Sequence, residues 1–196
     1  MFTWSSFRPI PWLSALVLVA VVAFAQTPPK PAARPDAGKA PAGPVIVFET
    51  VKGAFEVELF PDAAPKSVEH ILRLVQRNFY NGQRIHRVAP NFVVQFGDPR
   101  SRDMTKRDQW GRAEGGGSGR PIGVGEFSKT RLHVKGAVGL AHAGDATQAD
   151  SQIYVTLRAT PELNGKHAVV GQVISGMQVV QKLAVEDRIV KAYAKK

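Results

Sequence analysis

The chain has 196 residues, 44% of them hydrophobic, which is enough for one sizeable core but hardly for two. Its formal charge of +10 comes from 26 Lys and Arg scattered among 16 Asp and Glu, with no run of five or more like charges. That pattern marks a soluble basic surface rather than a nucleic-acid tract, and the absence of cysteine excludes disulfides, thiolate nucleophiles and cysteine-based zinc sites.

The first 25 residues carry one formal charge, Arg8, ahead of an apolar run from Trp12 to Phe24. Ala23-Phe24-Ala25 has the small-x-small pattern of a signal-peptidase site. The run falls short of the ~20 residues a membrane-spanning helix needs. A cleavable signal peptide is therefore expected over 1–25, cut after Ala25, giving a periplasmic or secreted protein with no other membrane segment. Residues 26–44 hold six prolines and no aliphatic side chain larger than alanine. They cannot bury enough surface to fold and are expected to form a disordered tether to a domain over 45–196.

From Val45 the composition changes. Val45–Thr50 and Ala54–Phe60 are β-branched and aromatic with Lys52-Gly53 between them, and Phe55, Val57 and Leu59 alternate with Glu56 and Glu58. This predicts a β-hairpin. Pro65 suits a first helical position, and Val68, Ile71, Leu72 and Val75 then share one face of a helix ending near Asn78. Strands are predicted over 83–88, 92–96, 137–140, 152–157, 168–173 and 188–193, with a short helix over 177–183. Residues 98–121 are Gly-rich and charged without apolar period, so a long surface loop is expected there. Many short strands with two helices suit an antiparallel barrel or a sandwich.

Common catalytic templates do not fit. The five histidines, His70, His86, His133, His142 and His167, show no metal-ligand spacing, so no metal or cofactor is expected. Gly123–Thr130 misses a phosphate-binding loop because Ser128 stands where its second glycine belongs, and Ser151 has no nucleophile elbow around it. What remains are three polar segments embedded in apolar sequence: IHRVAPNFVVQFGD (85–98), GLAHAGDATQADSQIYVTL (139–157) and LNGKHAVVGQV (163–173).

In order and spacing these segments resemble the signature segments of the cyclophilins, and the likeness runs over about 150 residues. The resemblance implies a mostly β protein, a closed eight-stranded antiparallel β-barrel capped by two α-helices, that rotates X-Pro bonds in other polypeptides. Such a reaction breaks no bond. Its barrier of ~18–20 kcal/mol is the amide resonance lost as the peptide twists. A dry proline pocket, hydrogen bonds to the flanking backbone and a donor at the prolyl nitrogen are sufficient.

By the same resemblance Arg87 is the catalytic donor, Gln95 positions it, and Phe92 stands with them. Phe92, Val93, Tyr154 and Leu163 wall the proline pocket. Ala141, His142 and Ala143 pair with the extended substrate, Gln152 shares that wall, and His86 and His167 border the site. The chain also departs from the family. Tyr154 replaces the usual phenylalanine, Val93 a commoner methionine and His142 a commoner asparagine; Glu162 stands where many members carry the tryptophan that helps bind cyclosporin. The 98–121 loop is longer than usual. A buried, unpartnered Tyr154 hydroxyl would cost about 1–3 kcal/mol. The expected partners are proline-containing polypeptides, with no nucleic acid, and the protein is expected to be monomeric. The alternative is a proline-peptide-binding or chaperone module of the same fold.

Overall fold

The computed structural model describes residues 43–114 and 116–195. The expected signal peptide and all but the last two residues of the expected tether lie outside them. β1 (Val45–Thr50) and β2 (Gly53–Leu59) form the predicted hairpin, in register from Val45–Glu58 to Thr50–Gly53. Phe55, Val57 and Leu59 are buried while the glutamates between them are half-buried, as a period of two requires. Leu59 N–H donates to the Pro44 carbonyl at 2.8 Å, so the end of the expected tether is held by the domain.

Six further strands extend this pair: β3 (Arg87–Ala89), β4 (Val93–Phe96), β5 (Ala137–Leu140), β6 (Ile153–Thr156), β7 (Val169–Ser175) and β8 (Ile189–Ala194). They make one curled antiparallel sheet in the order β3-β4-β6-β5-β7-β2-β1-β8. The protein is mostly β, as predicted. The two outermost strands, β3 and β8, share no continuous ladder. Between the segments ahead of them run an Arg84–Arg188 bridge and bonds from Ile85 N–H to Asp187 O (2.9 Å) and from Ile189 N–H to Gln83 O (2.8 Å). The strand predicted over 83–88 therefore shortens to its last residues. Gln83 is fully buried and its amide turns back to the Phe79 carbonyl at 2.6 Å.

α1 (Pro65–Gln76) starts with proline in its first turn, as predicted, and buries Val68, Ile71, Leu74 and Val75. Leu74 rather than Leu72 joins the buried face, and Leu72 packs at the core margin. Glu126, 60 residues away, accepts from the N–H groups of Lys66 (3.1 Å) and Ser67 (2.8 Å) and so satisfies two orphan donors at the helix start. α2 is a single turn, Met177–Val180. The 98–121 loop carries two 3₁₀ segments, Pro99–Arg102 and Met104–Gln109.

Alternation along β4, β5 and β6 divides the sheet into two faces. Val94, Phe96, Val138, Leu140, Ile153 and Val155 enter the core, where Phe96 meets Phe48 edge-on with ring centroids 5.3 Å apart. Val93, Gln95, Gly139, Tyr154 and Thr156 occupy the other face. Arg87 lies opposite Gln95 in the β3–β4 pair, and so joins that second face.

Candidate active site

On this outer face the strand register places Arg87, Gln95 and Tyr154 side by side on β3, β4 and β6. The Arg87 guanidinium donates to Gln95 Oε1 at 3.3 Å and stands 5.8 Å from the centre of the Phe92 ring. Gln95 Nε2 donates to Gln152 Oε1 at 2.9 Å, and Gln152 Nε2 donates in turn to the Gly116 carbonyl at 2.8 Å. A guanidinium and two amides thus form one directed chain. Each amide oxygen accepts, each amide nitrogen donates, and the chain ends on loop backbone. Arg87 remains solvent-exposed, and its guanidinium makes no other hydrogen bond among the described residues.

The loop end of this relay is itself fixed. Asp98 is fully buried and its carboxylate accepts from Arg100 Nη2 (2.8 Å), Arg100 N–H (2.8 Å) and Gly111 N–H (2.7 Å). The same guanidinium donates to the carbonyls of Arg112 (2.9 Å) and Glu114 (2.8 Å). Gly97 lets the chain turn here: its φ is +108°, and an added Cβ would lie 2.2 Å from the Ser151 carbonyl. The charged loop is therefore a clamp behind Gln152. Nothing in its sequence indicates which carbonyls Arg100 meets, because those contacts are set by the loop's path.

Tyr154 has found a partner. It is 4% exposed, and its hydroxyl lies 3.0 Å from His133 Nε2. Asn164 Oδ1 accepts from the His133 backbone N–H and faces His133 Nδ1, both at 2.9 Å. Nδ1 therefore carries the imidazole proton, Nε2 is the acceptor, and the tyrosine donates. Burial holds His133 below the usual histidine pKa and pushes the Tyr154 phenol up, so both stay neutral. Room for the phenol comes from Gly139, directly opposite on β5, where a Cβ would sit 2.4 Å from the ring. His133, Asn164 and Gly139 were missed in the sequence. The one available signal was a glycine inside a predicted strand, which marks a close approach.

The remaining expected residues gather around this pair. His167 meets Tyr154 edge-on with centroids 5.8 Å apart, holds the Leu140 carbonyl at 3.0 Å through Nδ1, and stacks on His142 at 4.2 Å. His142 Nε2 lies 2.8 Å from the Lys166 carbonyl. Ala141 N–H donates to the Gln152 carbonyl at 2.9 Å, leaving Ala143 exposed beyond it. Val93 is 1% exposed, Phe92 is half-buried, and Leu163 is half-buried in a 3₁₀ turn. Beside Leu163, Glu162 pairs with Arg158 at 2.9 Å on the surface. His86 lies behind the relay, under the loop next to Gly111, with neither ring nitrogen in a hydrogen bond of normal geometry among the described residues. Burial lowers its pKa to about 4; Arg87 and Arg100 add to that effect, against Asp98 and the Gln152 amide. A cleft of about 760 Å³ continues from Gln95 and Gln152 between Ala141–Ala143 and the loop at Gly116–Gly119.

A polar relay on a sheet face, flanked by aromatic and aliphatic walls, provides donors and a dry surface without any acid, base or nucleophile. Comparison with known proteins gives the family. The family model for cyclophilin-type peptidyl-prolyl cis-trans isomerases matches residues 45–194. A probable peptidyl-prolyl cis-trans isomerase of Brucella suis is 40% identical over 138 residues, covering 70% of each chain. A peptidyl-prolyl cis-trans isomerase-like 1 protein of Aspergillus fumigatus is 37% identical over 154 residues, covering 73% of this chain and 86% of that one. The fold matches a crystal structure of a Cryptosporidium parvum cyclophilin-type isomerase with a TM-score of 0.66 at 21% identity, over 78% of this chain and 98% of that one. That same protein has also been crystallised in the presence of the dipeptide Ala-Pro. The chain belongs to the cyclophilin-type peptidyl-prolyl cis-trans isomerase family. It is a peptidyl-prolyl cis-trans isomerase.

Proposed function

We propose that Arg87 lowers the rotation barrier by holding the substrate carbonyl and donating to the prolyl nitrogen as it becomes pyramidal. The observation that carries this reading is the directed chain from Arg87 through Gln95 and Gln152 to the loop backbone. A guanidinium held in this way needs little reorganisation when the amide twists, so its donors favour the transition state over the planar ground state. Phe92, Val93, Leu163 and Tyr154 supply the apolar seat for the proline ring. Ala141–Ala143 and Gln152 border the extended backbone.

The substrates in this reading are proline-containing segments of exported polypeptides, in the periplasm or outside the cell. Arg8, the apolar run Trp12–Phe24 and the Ala23-Phe24-Ala25 site support export. In this reading the enzyme works as a monomer. The bonds joining 83–85 to 187–189 support a sheet that closes into a barrel. The test is a protease-coupled isomerisation assay on an Ala-Pro peptide with Arg87→Ala. Turnover should fall at least about 100-fold, in the range of losing a positioned transition-state donor, with the circular dichroism spectrum unchanged. Normal turnover in the folded variant would remove Arg87 from the mechanism.

A further inference from the structure

A second cleft, of about 460 Å³, lies on the far side of the 118–122 segment from the proline site. One of its walls is a helical stripe. Lys66, His70, Arg73 and Arg77 recur at intervals of four, three and four along α1, and so share a face. The other wall is Ser118 to Ile122, which adds Arg120. Among the described residues Lys66, Arg77 and Arg120 make no ion pair. The acids nearby are few. Glu69 touches Arg73 at 3.6 Å with both side chains exposed, Glu126 caps the helix start, and Asp150 is taken up by His70 at 2.8 Å and Ser118 at 2.6 Å. Four permanent cations thus face one exposed acid across a concave surface, a concentration that the scattered charge of the whole chain does not show.

Ser118 and Pro121 line this cleft and also the cleft that starts at Gln95 and Gln152. The cleft bordered by Ala141–Ala143 and the basic cleft therefore adjoin across that shared wall. We propose that the α1–loop cleft is a specificity site for acidic side chains of the client polypeptide, placed some residues away from its X-Pro bond. The inference rests on the proline site being where clients are turned over.

The test compares proline peptides with and without a Glu-Glu-Glu tract on either side of the Ala-Pro core, followed by NMR exchange spectroscopy so that no protease intervenes. At low salt the tract should raise kcat/KM about tenfold on one side, through KM, as expected for steering plus a few exposed ion pairs. Arg77→Glu/Arg120→Glu should abolish that gain and leave the neutral peptide unchanged. Lys182→Glu/Lys191→Glu, an equal charge change elsewhere on the surface, should retain it. Equal kcat/KM for acidic and neutral peptides, or loss of the gain in both double variants, would overturn the proposal. A labelled Glu-rich peptide without proline, followed by fluorescence anisotropy, reads the cleft independently of turnover. It should bind wild type and not Arg77→Glu/Arg120→Glu. An oligo-dT that binds there while the acidic peptide does not would assign the cleft to nucleic acid and end the proposal.

Discussion

Tyr154→Phe restores the residue usual in the family, yet it should destabilise this protein. His133 is 2% exposed, and its Nε2 lone pair has the Tyr154 hydroxyl as partner at 3.0 Å. Removing that hydroxyl leaves a buried acceptor unmatched. An orphaned buried group costs about 1–3 kcal/mol, so about 2 kcal/mol is expected, or a Tm lower by roughly 4–8 °C for a domain of this size. Adding His133→Leu removes the orphan itself, and Asn164 Oδ1 still accepts from the backbone N–H of residue 133 at 2.9 Å. The double variant should recover more than half of the loss. Urea unfolding followed by circular dichroism gives all three values, and a double-mutant cycle gives the coupling. A Tyr154→Phe protein as stable as wild type, or a double variant showing the simple sum of both losses, would refute the proposed pairing.

Two further outcomes follow from the same geometry. Gly139→Ala should destabilise by about 2–3 kcal/mol and reduce turnover, because its Cβ would strike a Tyr154 ring held between His133 and His167; thermal melts and the isomerisation assay check both. His86 carries a pKa of about 4 in the fold against 6.5 when free, so below pH 6.5 the unfolded chain takes up a proton that the folded one refuses. Stability should fall by about 3 kcal/mol as pH drops from 6.5 to 4. His86→Gln should flatten most of that slope in urea midpoints, leaving the smaller part due to His133 and His167, which burial also shifts downward.

The period-two runs made most of the sheet legible in the sequence. Phe55-Glu56-Val57-Glu58-Leu59 could be read because one face is buried and the other is not. The strand predicted over 83–88 survives only from Arg87, because the backbone of 83–85 bonds instead to residues about a hundred positions away, a pairing no local pattern reveals. Of the site, the residues on one strand pair were readable as a set: Arg87, Phe92 and Gln95 fall at fixed offsets across a single turn. His133 was not readable, since a lone histidine looks the same whether it is solvated or accepts from a tyrosine 21 positions on. The clamp was equally hidden. Asp98 and Arg100 are ordinary surface types, and only the path of the loop shows that both serve Gln152.

That clamp bears on how the protein can change. Because Arg100 grips Asp98 at one end and the carbonyls of Arg112 and Glu114 at the other, the stretch between them is a noose whose neck is fixed. Residues 103–110 lie outside the neck, tied by the Trp110 indole to the Asp103 carbonyl at 3.2 Å and by Arg107 to Glu186. Insertions or deletions there leave Gln152, Gln95 and Arg87 with the same anchorage, so lineages can vary this loop without retuning their chemistry. A foreign peptide inserted between Asp108 and Gln109 would leave the Arg107–Glu186 pair in place and be displayed on a working enzyme, which makes the loop a natural port for new attachments.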